Sequence, residues 1–204
     1  MRAWAPHLAK ARTLIDTMID DVPTRRTVAV LGSGPLFELP LESLARTFET
    51  VLLVDRAHLR VARRRAGAYA NVHCDWRDLA PAGCPNPLDF LAGIPALDWV
   101  ISANLVSDLA RHRTPEDARR IVTGHLETLK RLDCPATLIT DLDYRVFNRH
   151  GVVLDSADLL HGYPVPRSGL RWKWEAAPFG EEHPHTRRVH TIAAWADWRY
   201  ANAE

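Results

Sequence analysis

Two hydrophobic periods alternate along this chain. Short continuous apolar runs occur at Val28–Leu31, Val51–Val54, Trp99–Ile101 and Ala136–Ile139, the pattern of parallel strands covered on both faces. Between them the apolar positions fall at helical spacing. Residues 5–20 predict a helix through Leu8, Ile15 and Ile19, with Leu14 and Met18 beside them. Leu41, Leu44, Ala45 and Phe48 predict a second, begun near Leu41 because Pro40 interrupts it. Leu59, Ala62 and Ala66 predict a third, with Arg60, Arg63, Arg64 and Arg65 spread over its outer side as a solvated face. A fourth spans 115–131, where Thr114 can cap, Pro115 suits the first position, and Glu116 and Asp117 complement the N-terminus.

Towards the end the period changes to two. Leu170, Trp172 and Trp174 alternate with Arg171, Lys173 and Glu175, and Arg188–Trp195 can return as the partner strand of a hairpin. Strands alternating with helices predict an α/β fold. The expectation is one domain over 1–204, a doubly wound, mostly parallel sheet of seven strands with a C-terminal antiparallel hairpin and helices on both faces. Residues 80–97, with Pro81, Pro85, Pro87 and Pro95, read as loop. Residues 142–169 fit neither period.

Composition narrows the function classes. A chain of 204 residues suits one domain with a large core. A net charge of +1 supplies no field for nucleic acid or an anionic membrane. Cys74, Cys84 and Cys134 are odd in number and lack CxxC spacing, which argues against a disulfide framework and a zinc knuckle. A reducing, cytoplasmic setting fits them. No apolar run approaches the roughly 20 residues of a membrane span, and the first residues do not read as a secretory signal.

The chemistry concentrates between Thr27 and Asp55. Gly32-Ser33-Gly34 follows the first strand directly, so the backbone can turn sharply and a ligand can approach without a Cβ in the way. Asp55 ends the second strand about 20 residues later, placed to accept hydrogen bonds from a ribose. The third glycine of a dinucleotide fingerprint is replaced by Phe37, and no Gly-Lys-Ser/Thr follows, so neither a dinucleotide site nor a P-loop is complete.

An apolar strand followed by GxG resembles motif I of the class I S-adenosylmethionine-dependent methyltransferases. Asn71–Leu79 resembles the family's third strand with its acidic exit, and Leu97–Asp108 resembles its fourth. The terminal hairpin is a further point of likeness. The resemblance implies methyl transfer from S-adenosylmethionine to a small-molecule acceptor. It implies that Gly32, Ser33, Gly34, Asp55, Arg56, Asp75, Trp76, Ala103 and Asn104 hold the cofactor, with Asp78 the rival of Asp75. It makes 1–22 a cap helix, in which Trp4 is a lid or a packing residue, and 142–169 an insertion on the substrate side. Substrate contacts are expected from His112, Asp143, Tyr144 and His161. The residues after Ser102 lack the Asn/Asp-Pro-Pro-aromatic turn of members that methylate nucleic acid or protein nitrogen, which also disfavours a nucleic-acid partner.

A catalytic base stays unassigned at this point: only an oxygen acceptor would need one, and His112, Asp141, Asp143, Tyr144 and His161 are candidates by position only. The other reading is a catalytically inactive methyltransferase-like domain that binds a partner protein; a homo-oligomer is open under either. An NAD-linked enzyme is disfavoured by Phe37. His183, His185 and His190 invite a metal, but without nearby Cys or a companion carboxylate pattern no metal site is expected.

Overall fold

The computed structural model describes residues 2–84 and 86–201, with Arg2 described in its backbone only. Met1 of the expected cap, Pro85 of the proline-rich loop, and residues 202–204 lie outside the described residues.

The element order is α1 (Ala5–Asp21), β1 (Thr27–Leu31), α2 (Leu41–Thr47), β2 (Thr50–Asp55), α3 (Arg60–Ala66) and β3 (Val72–Trp76), then β4 (Leu97–Ala103), α4 (Val106–Ala110) and α5 (Pro115–Lys130). Four strands complete the chain: β5 (Ala136–Asn148), β6 (Val153–Asp158), β7 (Leu170–Ala177) and β8 (Thr186–Trp195). The sheet runs β3-β2-β1-β4-β5-β8-β7, with β6 also on β5. The first five strands are parallel, whereas β8 enters antiparallel between β5 and β7.

The sheet contains eight strands among the described residues, where the sequence predicted seven. The extra strand comes from the segment 142–169, which has no clean period. β5 is 13 residues long and outruns its parallel partner, because β4 pairs with it only as far as Ile139. β8 occupies one edge of β5 from Leu138 to Asn148, so β6 takes the edge that β4 vacates and pairs from Asp143 to Phe147. A bulge at Leu142 changes which face the side chains meet.

Apolar strands explain the two-sided core. Every residue of β1 is buried. Val28 and Val30 pack on one side with Ile15 of α1, Leu44 of α2 and Ala62 of α3. Ala29 and Leu31 pack on the other with Val106 of α4 and Val122 and Leu126 of α5. The α5 start follows its sequence signals, since the Thr114 side chain accepts the Asp117 N–H at 3.2 Å. The α1 stripe is rotated from the expected one. Its buried side is His7, Ala11, Ile15, Met18 and Ile19, and Leu8 is only half-buried. A histidine therefore stands on an apolar stripe.

β4 is fastened at its foot. The Arg26 guanidinium and backbone N–H both donate to Asp98, at 2.6–3.1 Å, and hold its carboxyl down at about 2.

Candidate cofactor cleft and the polar cluster beside it

The glycine turn stands at the C-terminal ends of β1 and β4. Gly32 has φ +71° and Gly34 φ +48°, conformations that glycine adopts without penalty. Gly32 also lies under Leu105, where a Cβ would approach that side chain to 2.8 Å. The Gly32 N–H bonds Val54 of β2, and the Gly34 N–H donates to Asp55 Oδ2 at 2.9 Å. Asp55 Oδ1 accepts the Ala57 N–H at 3.2 Å. The tip of β2 and the turn after β1 are thereby held as one unit.

That unit opens on a cleft of about 540 Å³. Of the expected residues, Gly32, Gly34, Asp55, Arg56, Asn104 and His112 line it. Asp78, the rival of Asp75, lines it too, together with Asp108, Arg111 and Arg113. Carboxylates and guanidiniums thus face one space. Arg111 is paired with Asp108, and Arg113 donates to the Ala80 carbonyl at 3.1 Å. Asn104 (φ +50°) and His112 (φ +61°) hold left-handed backbone conformations that are uncommon outside glycine, a form of strain that concentrates at functional sites.

The remaining expected residues lie elsewhere. Ser33 is buried, with an unpartnered Oγ. Ala103 is buried in the core at the end of β4. Asp75 turns to Arg77 at 3.1 Å and does not line the cleft. Trp76 is 60% exposed and stands edge-on to His58, with ring centroids 4.8 Å apart. Neither core packing nor the cleft accounts for it.

The four expected substrate contacts are not gathered. His112 is on the cleft, whereas Asp143, Tyr144 and His161 are not. Asp143 faces Thr191, accepting its hydroxyl at 2.8 Å. Tyr144 donates to Asp155 at 2.8 Å, and that carboxylate raises its phenol above the ordinary value. His161 sits in the turn after β6 with φ +52°. The separation of Asp143 from Tyr144 follows from strand alternation, which sends neighbours to opposite faces.

A second polar group, missed in the sequence, lies beside Asn104. His7 of α1 contacts Asn104 at 3.0 Å, stacks on Trp174 at 4.3 Å, and accepts the Trp172 indole N–H at Nδ1. With Nδ1 accepting, Nε2 carries the hydrogen of a neutral ring, so the Asn104 amide meets it best through its oxygen. Trp174 leads on to His190, 5.4 Å away. His190 Nδ1 donates to Asp141 at 3.0 Å, and Ser107 of α4 donates to the same carboxylate oxygen at 3.3 Å. The one signal for His7 was its place four residues before Ala11 on the helical stripe. His190 stood out only as one of three histidines that invite a metal, and nothing tied it to Asp141 until β8 was paired with β5. Trp4, expected as lid or packing residue, donates its indole N–H to the Ala176 carbonyl at 2.9 Å, closing the start of the chain over β7.

Among the described residues no three His, Cys, Asp or Glu side chains gather in a metal-binding arrangement. No described helix is long and apolar enough to cross a membrane.

No family model matches the chain, and no curated protein matches it. Solved structures do. One is the N-methyltransferase NodS from Bradyrhizobium japonicum WM9 in complex with S-adenosyl-L-homocysteine, 10% identical over 91% of this chain and 85% of that one, with a TM-score of 0.47. A second is the 1,6-didemethyltoxoflavin-N1-methyltransferase of Burkholderia thailandensis, 11% identical over 92% and 78%, with a TM-score of 0.46. A third is the precorrin-6y C5,15-methyltransferase of Geobacter metallireducens GS-15, 15% identical over 88% and 85%, with a TM-score of 0.42. The strand order of this chain, its glycine turn after β1, and its antiparallel β8 set between β5 and β7 are those of the class I methyltransferase fold, and that is the fold of this protein.

Proposed function

We propose that this protein transfers a methyl group from S-adenosylmethionine to a small-molecule acceptor. The observation that carries this reading is the joining of Asp55 to the Gly32–Gly34 turn at the mouth of a roughly 540 Å³ cleft. Each Asp55 oxygen holds one backbone N–H and keeps lone-pair capacity for ribose hydroxyls. The cleft presents acidic and basic groups together, which suits a ligand with both an ammonium and a carboxylate.

In this reading Gly32, Gly34, Asp55, Arg56 and Asn104 hold the cofactor, with Asp78 in place of Asp75 at its outer end. When bound, the cofactor supplies a methyl carbon on a sulfonium, already activated for displacement, whose departing electron pair stays on sulfur. The chain's own work is to align the acceptor, a contribution that can reach roughly 7–11 kcal/mol.

Calorimetric titration with S-adenosylhomocysteine, and with NAD in parallel, tests this. Binding of the first, weakened in Asp55→Ala, is the expected result. A folded protein that binds NAD alone, or neither, sinks the reading; binding neither would favour the partner-binding alternative.

A further inference from the structure

We propose that His190, oriented by Asp141, is the general base of an acceptor site roofed by α1, and that the acceptor is a hydroxyl compound. This rests on the methyl-transfer reading above and goes on to name its substrate class.

The first observation is the pair itself. A carboxylate only accepts, so the 3.0 Å contact places the hydrogen on His190 Nδ1 and leaves Nε2 with its lone pair free. Nε2 has no hydrogen-bond partner among the described residues. Asp141 is 5% exposed and is fixed further by Ser107, so the imidazole has a single orientation. Its place in the fold is also specific. Ser107 belongs to α4, the helix that begins directly after the cleft residues Asn104 and Leu105, so the Asp141 carboxylate is tied to the cleft's own wall.

The second observation is independent of the pair. Eight buried side-chain polar atoms among the described residues lack a partner, and three of them belong to this cluster: Asp141 Oδ1, Trp174 Nε1 and Arg188 Nε. Buried polar groups are seldom left unpaired, and an acceptor and two donors on neighbouring residues mark the seat of a polar molecule. The aromatic rings of Trp174 and Tyr144 flank His190, with centroids 5.4 and 5.9 Å away, and provide the apolar body of such a site.

The chemistry then selects the acceptor. A neutral amine or a thiolate attacks without prior loss of a proton, so a free, carboxylate-oriented imidazole would be idle beside it. A hydroxyl needs one. The acceptor O–H bond breaks, the Nε2–H bond forms, and the electron pair stays on oxygen as the nucleophile. The positive charge comes to rest on the imidazole against the Asp141 carboxylate. Asp141 is a positioning residue and His190 the catalytic one.

The test uses the full chain in three measurements. In protein labelled with ¹⁵N-histidine, with His190 identified by its loss in His190→Gln, the ring shows the Nδ1–H tautomer, and Asp141→Asn removes that preference. With labelled S-adenosylmethionine and catechol or benzylamine as probes, catechol is methylated. His190→Gln lowers kcat on it about 10²–10⁴-fold, with KM little changed and the acid limb of the rate–pH profile lost. The charged or titrating neighbours of His190 in that profile are Asp141 and Tyr144 on β5, Arg188 on β8, Asp155 on β6 and His7 behind Trp174. Binding of S-adenosylhomocysteine is the same in His190→Gln as in the parent.

An Nε2–H tautomer overturns the proposal. So does methylation of benzylamine only, no methylation of catechol by a protein that binds S-adenosylhomocysteine, or catechol turnover unaffected by His190→Gln. Failure of S-adenosylhomocysteine to bind the parent protein overturns the methyl-transfer reading and this role with it. The tautomer measurement alone would then show whether the pair is built as described.

Discussion

Asp55 accepts the backbone N–H of Gly34 at 2.9 Å, so one carboxylate both shapes the glycine turn and faces the cleft. Replacing it therefore has two effects that can be separated. Asp55→Ala loses the charge and the turn's anchor, and is expected to cost about 1.5–3 kcal/mol of S-adenosylhomocysteine affinity, the value of charged hydrogen bonds. Asp55→Asn keeps an oxygen for Gly34 and should lose less. Isothermal calorimetry on the two variants measures both; equal, unchanged affinities would remove Asp55 from the site.

Gly32 combines a positive φ with contact against Leu105, so Gly32→Ala meets strain from two sources. A stability loss of about 1–3 kcal/mol is expected from the backbone conformation and the crowding together. Leu105→Ala added to it opens the space without relieving φ, so the double variant should recover part of the affinity for S-adenosylhomocysteine and keep the backbone cost. Urea unfolding and calorimetry on the parent and the two variants read this directly. A Gly32→Ala protein as stable as the parent would contradict the turn geometry.

His125 of α5 is fully buried against Ser102 at 2.9 Å, and burial pushes its imidazole down to about 4 from an ordinary 6.5. The native state thus refuses a proton that the unfolded chain takes up. Its contribution to stability is complete above pH 6.5 and declines as pH falls towards 4, with a slope of up to about 1.4 kcal/mol per pH unit. Asp98, held at about 2, acts only below that window. Removing both partners with Ser102→Ala and His125→Leu should flatten the urea midpoint between pH 6.5 and 4.5. A midpoint that still falls as steeply in the double variant would assign the acid sensitivity to other groups.

The parallel half of the fold was legible because its signals are local. The four-residue apolar run of β1, the glycines behind it and the Thr114–Pro115 start of α5 each need only neighbours in sequence, and each stands where its pattern placed it. β6 was not legible, since it exists only because β5 continues past the end of β4 and leaves an edge unpaired. The cleft divides the same way. Gly32, Gly34 and Asp55 follow from one βαβ unit, whereas nothing local separates Asp78, which lines the cleft, from Asp75, which turns to Arg77. The grouping of Asp141 with His190 depends on the register of an antiparallel pair and its bulge, which no periodicity records.

The hold of His7 and Trp4 on β7 also sets an order of assembly. These contacts span 165 and 172 residues of chain, while the turn and strands β1, β2 and β4 are complete by residue 103. Local contacts form before distant ones because a long loop must be closed before it is rewarded. During synthesis from the N-terminus the cofactor cleft can therefore be in place while α1 still lacks the strand it rests on. The roof over the His190 cluster closes last, once the final hairpin has emerged and brought Trp172 and Trp174 to α1.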